Sequence, residues 1–236
     1  MTEDRQTTKL VCLPFAGAGA SFYRPWSAFA GGTLEIVPLQ LPGRERLIDA
    51  EPHRDLGRAV AGLLADLLGT PAGVGRVALF GHSLGAVLAY ELAHRLSAMP
   101  DVEVVRLFAS GSPAPGVSRV RRATGLPNEE FLLRVEEFAG YSHEALADPE
   151  MRELILPTLR ADVEMHENYA PSTEMPLDAP ITSLRGAEDG LVALDQAAAW
   201  SKATSRGFEL VELPGGHMYL ADDAPSLVRL IAATVR

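Results

Sequence analysis

The chain has 236 residues, 47% of them hydrophobic, and a formal net charge of −10. That length suits one α/β domain with an ample core, and the acidic balance argues against a general nucleic-acid or anionic-membrane surface. No apolar run reaches the roughly 18 residues of a membrane span, and the polar, mixed-charge start Met1–Lys9 lacks the apolar stretch of a secretory signal.

The lone cysteine, Cys12, cannot form an internal disulfide and sits in an apolar run, so an inert buried thiol and a cytoplasmic location are expected. Strand-like and helix-like segments then alternate. Lys9–Leu13 reads as a strand, Phe22–Ala30 as a helix and Leu34–Pro38 as a strand. Asp55–Leu68 carries Leu56, Val60, Leu63, Leu64 and Leu67 at helical spacing, and Val77–Phe80 is a short buried-strand pattern. Leu84–Ser97 places Leu84, Val87, Leu88, Leu92 and Leu96 on one helical face, and Val104–Ala109 returns to strand.

Between residues 112 and 175 the alternation stops. Asn128 heads a helical pattern with Phe131, Leu132, Val135 and Phe138, and Asp148-Pro149 is a capped start for Met151, Leu154, Ile155, Leu159 and Val163. A helical insertion leaving a strand's carboxyl end is expected to form a lid. The alternation resumes with strands Ile181–Arg185 and Phe208–Leu213, a helix Leu194–Thr204 between them, and a final helix Pro225–Val235. Repeated β-then-α units imply a mostly parallel sheet covered on both faces, with reactive groups at the strands' carboxyl ends.

At one such end stands Gly81-His82-Ser83-Leu84-Gly85, a G-x-S-x-G sequence between strand and helix. That context is the one required of a nucleophile elbow. A serine hydroxyl is a poor nucleophile unless a base lies within hydrogen-bond reach and a third group orients that base. In this architecture the chain order is Ser, Asp or Glu, then His.

Six histidines are present. His53 precedes the serine. His82 adjoins it and is expected to point elsewhere and pack the turn. His94 falls on the charged face of its helix, and His143 and His166 lie in the insertion as solvated or structural residues. His217, in the Gly-rich loop after the last strand, is the expected base. Ile181–Arg185 leads into Gly186-Ala187-Glu188-Asp189-Gly190, so Asp189 is the expected acid, with Glu188 as the alternative and Asp195 inside the next helix. The loop Ser110-Gly111-Ser112, the other possible location, offers no carboxylate. The oxyanion hole needs two backbone donors: the N–H of Leu84, and one from the loop Pro14–Gly19, with Ala16 preferred over Phe15. That loop matches neither dinucleotide nor P-loop patterns, and no His, Cys and carboxylate spacing suggests a metal.

Assembled, these stretches resemble the type II thioesterases of polyketide and nonribosomal peptide pathways. The resemblance runs over nearly the whole chain. It rests on Leu13–Gly17, Gln40-Leu41-Pro42-Gly43-Arg44, the elbow, Leu156–Asp162, Gly186–Asp189 and Pro214–His217, with Leu-Pro-Gly-Arg and Leu-Arg-Ala-Asp the most telling. One departure is Asp189-Gly190, where the family often has Asp-Pro. The resemblance implies an α/β-hydrolase fold with a helical lid, and Ser83, Asp189 and His217 as nucleophile, acid and base. It implies hydrolysis of acyl groups from the phosphopantetheine arm of acyl or peptidyl carrier proteins, with no cofactor beyond the arm the substrate carries. The same triad would also serve an acyltransferase, a cyclase or a general esterase, and a non-catalytic binding protein is the rival from another class. The partner expected is a carrier protein, with no nucleic acid or membrane, and the chain is expected to be a monomer. Carrier proteins are usually acidic, so Arg119, Arg121 and Arg122 are candidate docking residues.

Overall fold

The computed structural model describes residues 7–70, 74–117, 122–139 and 148–235. Six strands form one sheet: β1 (Thr8–Leu13), β2 (Leu34–Pro38), β3 (Arg76–His82), β4 (Glu103–Ser110), β5 (Ile181–Gly186) and β6 (Phe208–Leu213). Their order is β2-β1-β3-β4-β5-β6, and every pairing is parallel. β3 is buried from Val77 onward, as a strand covered on both faces must be. The register slips between Val77 and Ala78 where β3 meets β4. The chain winds outward from β1 to β2, then returns past β1 to β3. The loops after β1 and β3 therefore part at the carboxyl edge and open a crevice there.

On one face lie α1 (Leu56–Leu68) and α2 (Leu84–Ser97), packed over Val11, Leu79 and Leu107. The other face is covered by the last helix, Ala224–Thr234, and by a 3₁₀ segment, Ala20–Phe29, through Tyr23, Trp26, Leu227 and Ile231. Side-chain caps start three outer helices, the expected one at Asp148 among them. Asp55 accepts from the Arg58 N–H at 2.8 Å, Asp148 from Glu150 and Met151, and Asp223 from Ser226.

Two expectations need correction. Ala20–Phe29 is 3₁₀ rather than α-helical, and it contains Pro25, whose missing N–H breaks the i→i−4 ladder. The helix expected over Leu194–Thr204 divides into α5 (Leu194–Ala198) and a 3₁₀ segment, Ala199–Ala203.

Between β4 and β5 run α3 (Asn128–Ala139) and α4 (Pro149–Glu167). They pack on each other through Phe131, Leu132, Leu156, Leu159 and Val163. Arg160 of α4 lies 4.2 Å over the Phe131 ring and donates to the Leu126 carbonyl. Just past α4, the Tyr169 hydroxyl donates to the buried Glu91 of α2 at 2.8 Å. Among the described residues no helix is long and apolar enough to cross a membrane.

Candidate active site

Ser83 stands between β3 and α2 with φ 53° and ψ −115°. Apart from it, the only described non-glycine residue with positive φ is Glu45. The flanking glycines permit this turn. A Cβ at Gly81 would run into the Gly85 carbonyl, and one at Gly85 would come 2.6 Å from the Leu13 carbonyl oxygen. Ser83 N–H donates to the Ser110 carbonyl at 2.8 Å, which ties the turn to β4. Leu84 is the first residue of α2, where backbone N–H groups have no partner within the helix.

Asp189 and His217 come from the loops after β5 and β6, and the backbone joins those loops. Ala187 N–H donates to Leu213, Glu188 N–H donates to Gly215, and a Cβ at Gly186 would strike the Gly216 carbonyl. His217 Nδ1 donates to Asp189 Oδ2 at 2.9 Å, and the N–H groups of Leu191 and Val192 donate to Oδ1 at 2.8 and 3.2 Å. Burial alone would raise the Asp189 pKa. The hydrogen bond and charge of His217, with the two backbone donors, outweigh it and hold the carboxyl below its ordinary value. An ionised Asp189 holds the His217 proton on Nδ1 and leaves Nε2 as an acceptor. Glu188 is exposed, and Asp195 is exposed in the first turn of α5.

Two neighbours were not foreseen. Arg185, at the end of β5 and 7% exposed, donates to the carbonyls of Val192 (3.0 Å) and Asp189 (3.1 Å) and pairs with Glu212. It braces the loop that carries the acid. His82 does not point away from the site. Its ring lies 4.7 Å from that of His217, and its Nδ1 shares a hydrogen bond with the Ser110 hydroxyl at 2.8 Å. That hydroxyl in turn bonds the Tyr219 hydroxyl at 2.6 Å. Burial first, then the nearby His217, push the His82 pKa well below its usual value. Gly111 makes room for the pair, because a Cβ there would hit the His82 ring and come 3.2 Å from His217. The loop that offers no carboxylate thus contributes a glycine and a hydrogen-bonding serine. Both are visible in the sequence, but their use depends on the β3–β4 register.

Ser83, His217 and Asp189 line one cavity of about 1480 Å³ at the crevice. Phe15 and Ala16 form one wall, and Leu154, Ile155, Leu159 and Val163 of α4 form another. His166 is buried at its edge. His53 sits beside α1, facing Gly62. His94 is not on a charged face, because α2 is buried nearly all round; its ring packs 4.6 Å from Tyr90. Arg119, Arg121 and His143 lie outside the described residues. Arg122 is held by Glu167 at 3.6 Å and Asn168 at 2.5 Å.

The chain is similar to known proteins over nearly its whole length. Residues 8–235 match the thioesterase domain family. Gramicidin S biosynthesis protein GrsT of Aneurinibacillus migulanus is 32% identical over 97% of this chain and 89% of its own length. Thioesterase PikA5 of Streptomyces venezuelae is 34% identical over 91% of this chain and 76% of its own length. The type II thioesterase BorB from the borrelidin biosynthetic cluster superposes with a TM-score of 0.87 at 33% identity, covering 98% of this chain and 94% of that one. The sheet, the crevice and these similarities lead to one assignment: the chain belongs to the thioesterase family.

Proposed function

We propose that this thioester hydrolase removes acyl groups from the phosphopantetheine arm of acyl or peptidyl carrier proteins, clearing stalled or misloaded chains through an acyl-serine at Ser83. The observation that carries this reading is the 2.9 Å His217–Asp189 hydrogen bond, lining the same cavity as a serine on a strained turn. The biosynthetic settings named for GrsT and BorB support the carrier-bound substrate.

The steps follow from the groups present. His217 Nε2 takes the Ser83 proton while Oγ attacks the thioester carbonyl. The oxyanion that forms is held by the N–H groups of Leu84 and Ala16, donors worth about 2.7–4 kcal/mol each in comparable sites. The tetrahedral centre collapses, the C–S bond breaks, and the thiol leaves with the proton from His217. Water, deprotonated by His217, then attacks the acyl-serine, releasing the free acid and restoring the Ser83 hydroxyl. Asp189 fixes the tautomer and orientation of His217 and stabilises its cationic form.

In this reading the chain is one α/β-hydrolase domain acting as a monomer, with residues 112–175 as the lid and Arg119, Arg121 and Arg122 meeting an acidic carrier. Treatment with an alkyl phosphonate followed by peptide mapping tests it. The expected result is a single adduct on Ser83, and an enzyme that turns over thioester with no adduct there would overturn the assignment.

A further inference from the structure

The two stretches that stood out in the sequence without a chemical role, Leu41-Pro42-Gly43-Arg44 and Leu159-Arg160-Ala161-Asp162, meet in the structure. Arg44 grips Asp162 with both fork nitrogens, NH1 to Oδ2 at 2.7 Å and NH2 to Oδ1 at 2.8 Å. Both side chains are buried, at 7% and 1% exposure. The α4 backbone can come this close because Gly43 has no side chain. A Cβ there would lie 2.6 Å from the Thr158 hydroxyl, which instead donates to the Gly43 carbonyl at 2.7 Å.

A buried ion pair is poor evidence of stability, since desolvating both charges offsets their attraction. The remaining bonds of this pair point to another use. Asp162 Oδ2 also accepts from the Gly17 N–H at 2.8 Å, and Arg44 NH1 also donates to the Ala18 carbonyl at 3.0 Å. Residues 15–18 form a turn closed by Ala18 N–H to the Phe15 carbonyl at 2.9 Å, with Gly17 at φ +77° as its third residue. That φ marks a type II turn, which differs from type I by a flip of the central peptide, here Ala16–Gly17. A carboxylate on the Gly17 N–H selects the flip. Gln40 holds the far end of the loop by accepting from Ala20 N–H at 3.1 Å, and its own amide donates to the Arg44 carbonyl at 3.3 Å.

We propose that Arg44 and Asp162 are positioning residues which lock the Phe15–Ala18 turn in place, Asp162 through the Gly17 N–H and Arg44 through the Ala18 carbonyl, so that the anchored turn holds the adjoining Phe15–Ala16 peptide, and with it the Ala16 N–H, toward the oxyanion, making the catalytic geometry depend on the seating of α4. The proposal rests on the hydrolase reading above. It also joins two elements far apart in the chain, the loop after β1 and the helix between β4 and β5.

The double variant Arg44→Met with Asp162→Leu tests it. The double variant removes both charges together, a change that buried ion pairs often tolerate without loss of fold. It leaves Gly17 N–H without its acceptor. The expected result is a folded double variant whose kcat falls about 10²-fold, the scale of a small misplacement of catalytic groups, with KM nearly unchanged. Affinity for a trifluoromethyl ketone that forms a tetrahedral adduct should fall by the same factor. Affinity for a non-hydrolysable thioether analogue should not change. A folded double variant with wild-type kcat overturns the proposal, as does an equal loss of affinity for both analogues. Phosphonate labelling of wild-type Ser83, run alongside, separates failure of the nucleophile assignment from failure of the pair's role.

Discussion

The imidazoles of His82 and His217 lie with ring centroids 4.7 Å apart and planes 51° from parallel, the first neutral and the second bonded to Asp189. His82 is kept neutral by burial and then by His217, whereas an unfolded chain protonates it near pH 6.5. Below that pH the unfolded state binds more protons than the folded one. The stability that neutral His82 contributes is therefore complete above about pH 6.5 and declines on acidification, by up to about 1.4 kcal/mol per pH unit. His82→Asn keeps a partner for Ser110 but cannot titrate. Urea denaturation from about pH 7.5 to 5.5 should show the gap between wild type and variant narrowing below about pH 6.5. A constant gap would contradict this account of His82.

Asp189→Asn should leave the loop folded, since the amide oxygen can still accept from Leu191 and Val192. Its NH₂ group would turn His217 to the tautomer with the proton on Nε2, which cannot take the Ser83 proton. The expected loss in kcat is about 10⁴-fold, the scale seen for the same change in a serine-protease triad. Glu188→Gln, at an exposed position, should leave steady-state turnover unchanged. The reverse pattern would move the acid to Glu188.

Much of this was legible in the sequence, and the limits have physical causes. Leu34–Pro38, Leu84–Ser97 and Phe208–Leu213 have the bounds that periodicity indicates, because each is an apolar pattern long enough to set its own period. Phe22–Ala30 reads as a helix in the sequence, while the structure forms a 3₁₀ segment over Ala20–Phe29, because apolar spacings of three and four look alike over ten residues. Chain order and loop position pointed to Asp189 and His217, and the structure places those two in contact. Arg44 with Asp162, 118 positions apart, could be noticed only as two separate stretches. Arg185 and His82 act across the sheet edge, where register decides the contact.

Arg185 predicts a coupled loss of stability and turnover. Arg185→Met leaves the buried carbonyls of Val192 and Asp189 without their donors, at a cost of about 1–3 kcal/mol. Lysine cannot reproduce the planar fork, so Arg185→Lys should restore little of either. Denaturation midpoints and kcat measured on both variants check this, and wild-type values for Arg185→Lys would show that the fork is not needed.

Carrier docking predicts a split in KM. Reversing the charges of Arg119, Arg121 and Arg122 should raise KM for an acyl-carrier substrate and leave KM for the matching small-molecule thioester unchanged. An equal effect on both would remove these arginines from the docking surface. Ionic strength offers a second check, since exposed charge contacts weaken as salt rises.

Turnover of an acyl-carrier thioester by Ser83→Ala, set beside its circular dichroism, tests the nucleophile most directly. The predicted result is an unchanged fold with kcat lowered on the order of 10⁶-fold, as for loss of the nucleophile in a serine protease. A folded Ser83→Ala protein that hydrolyses the thioester at the wild-type rate would contradict it.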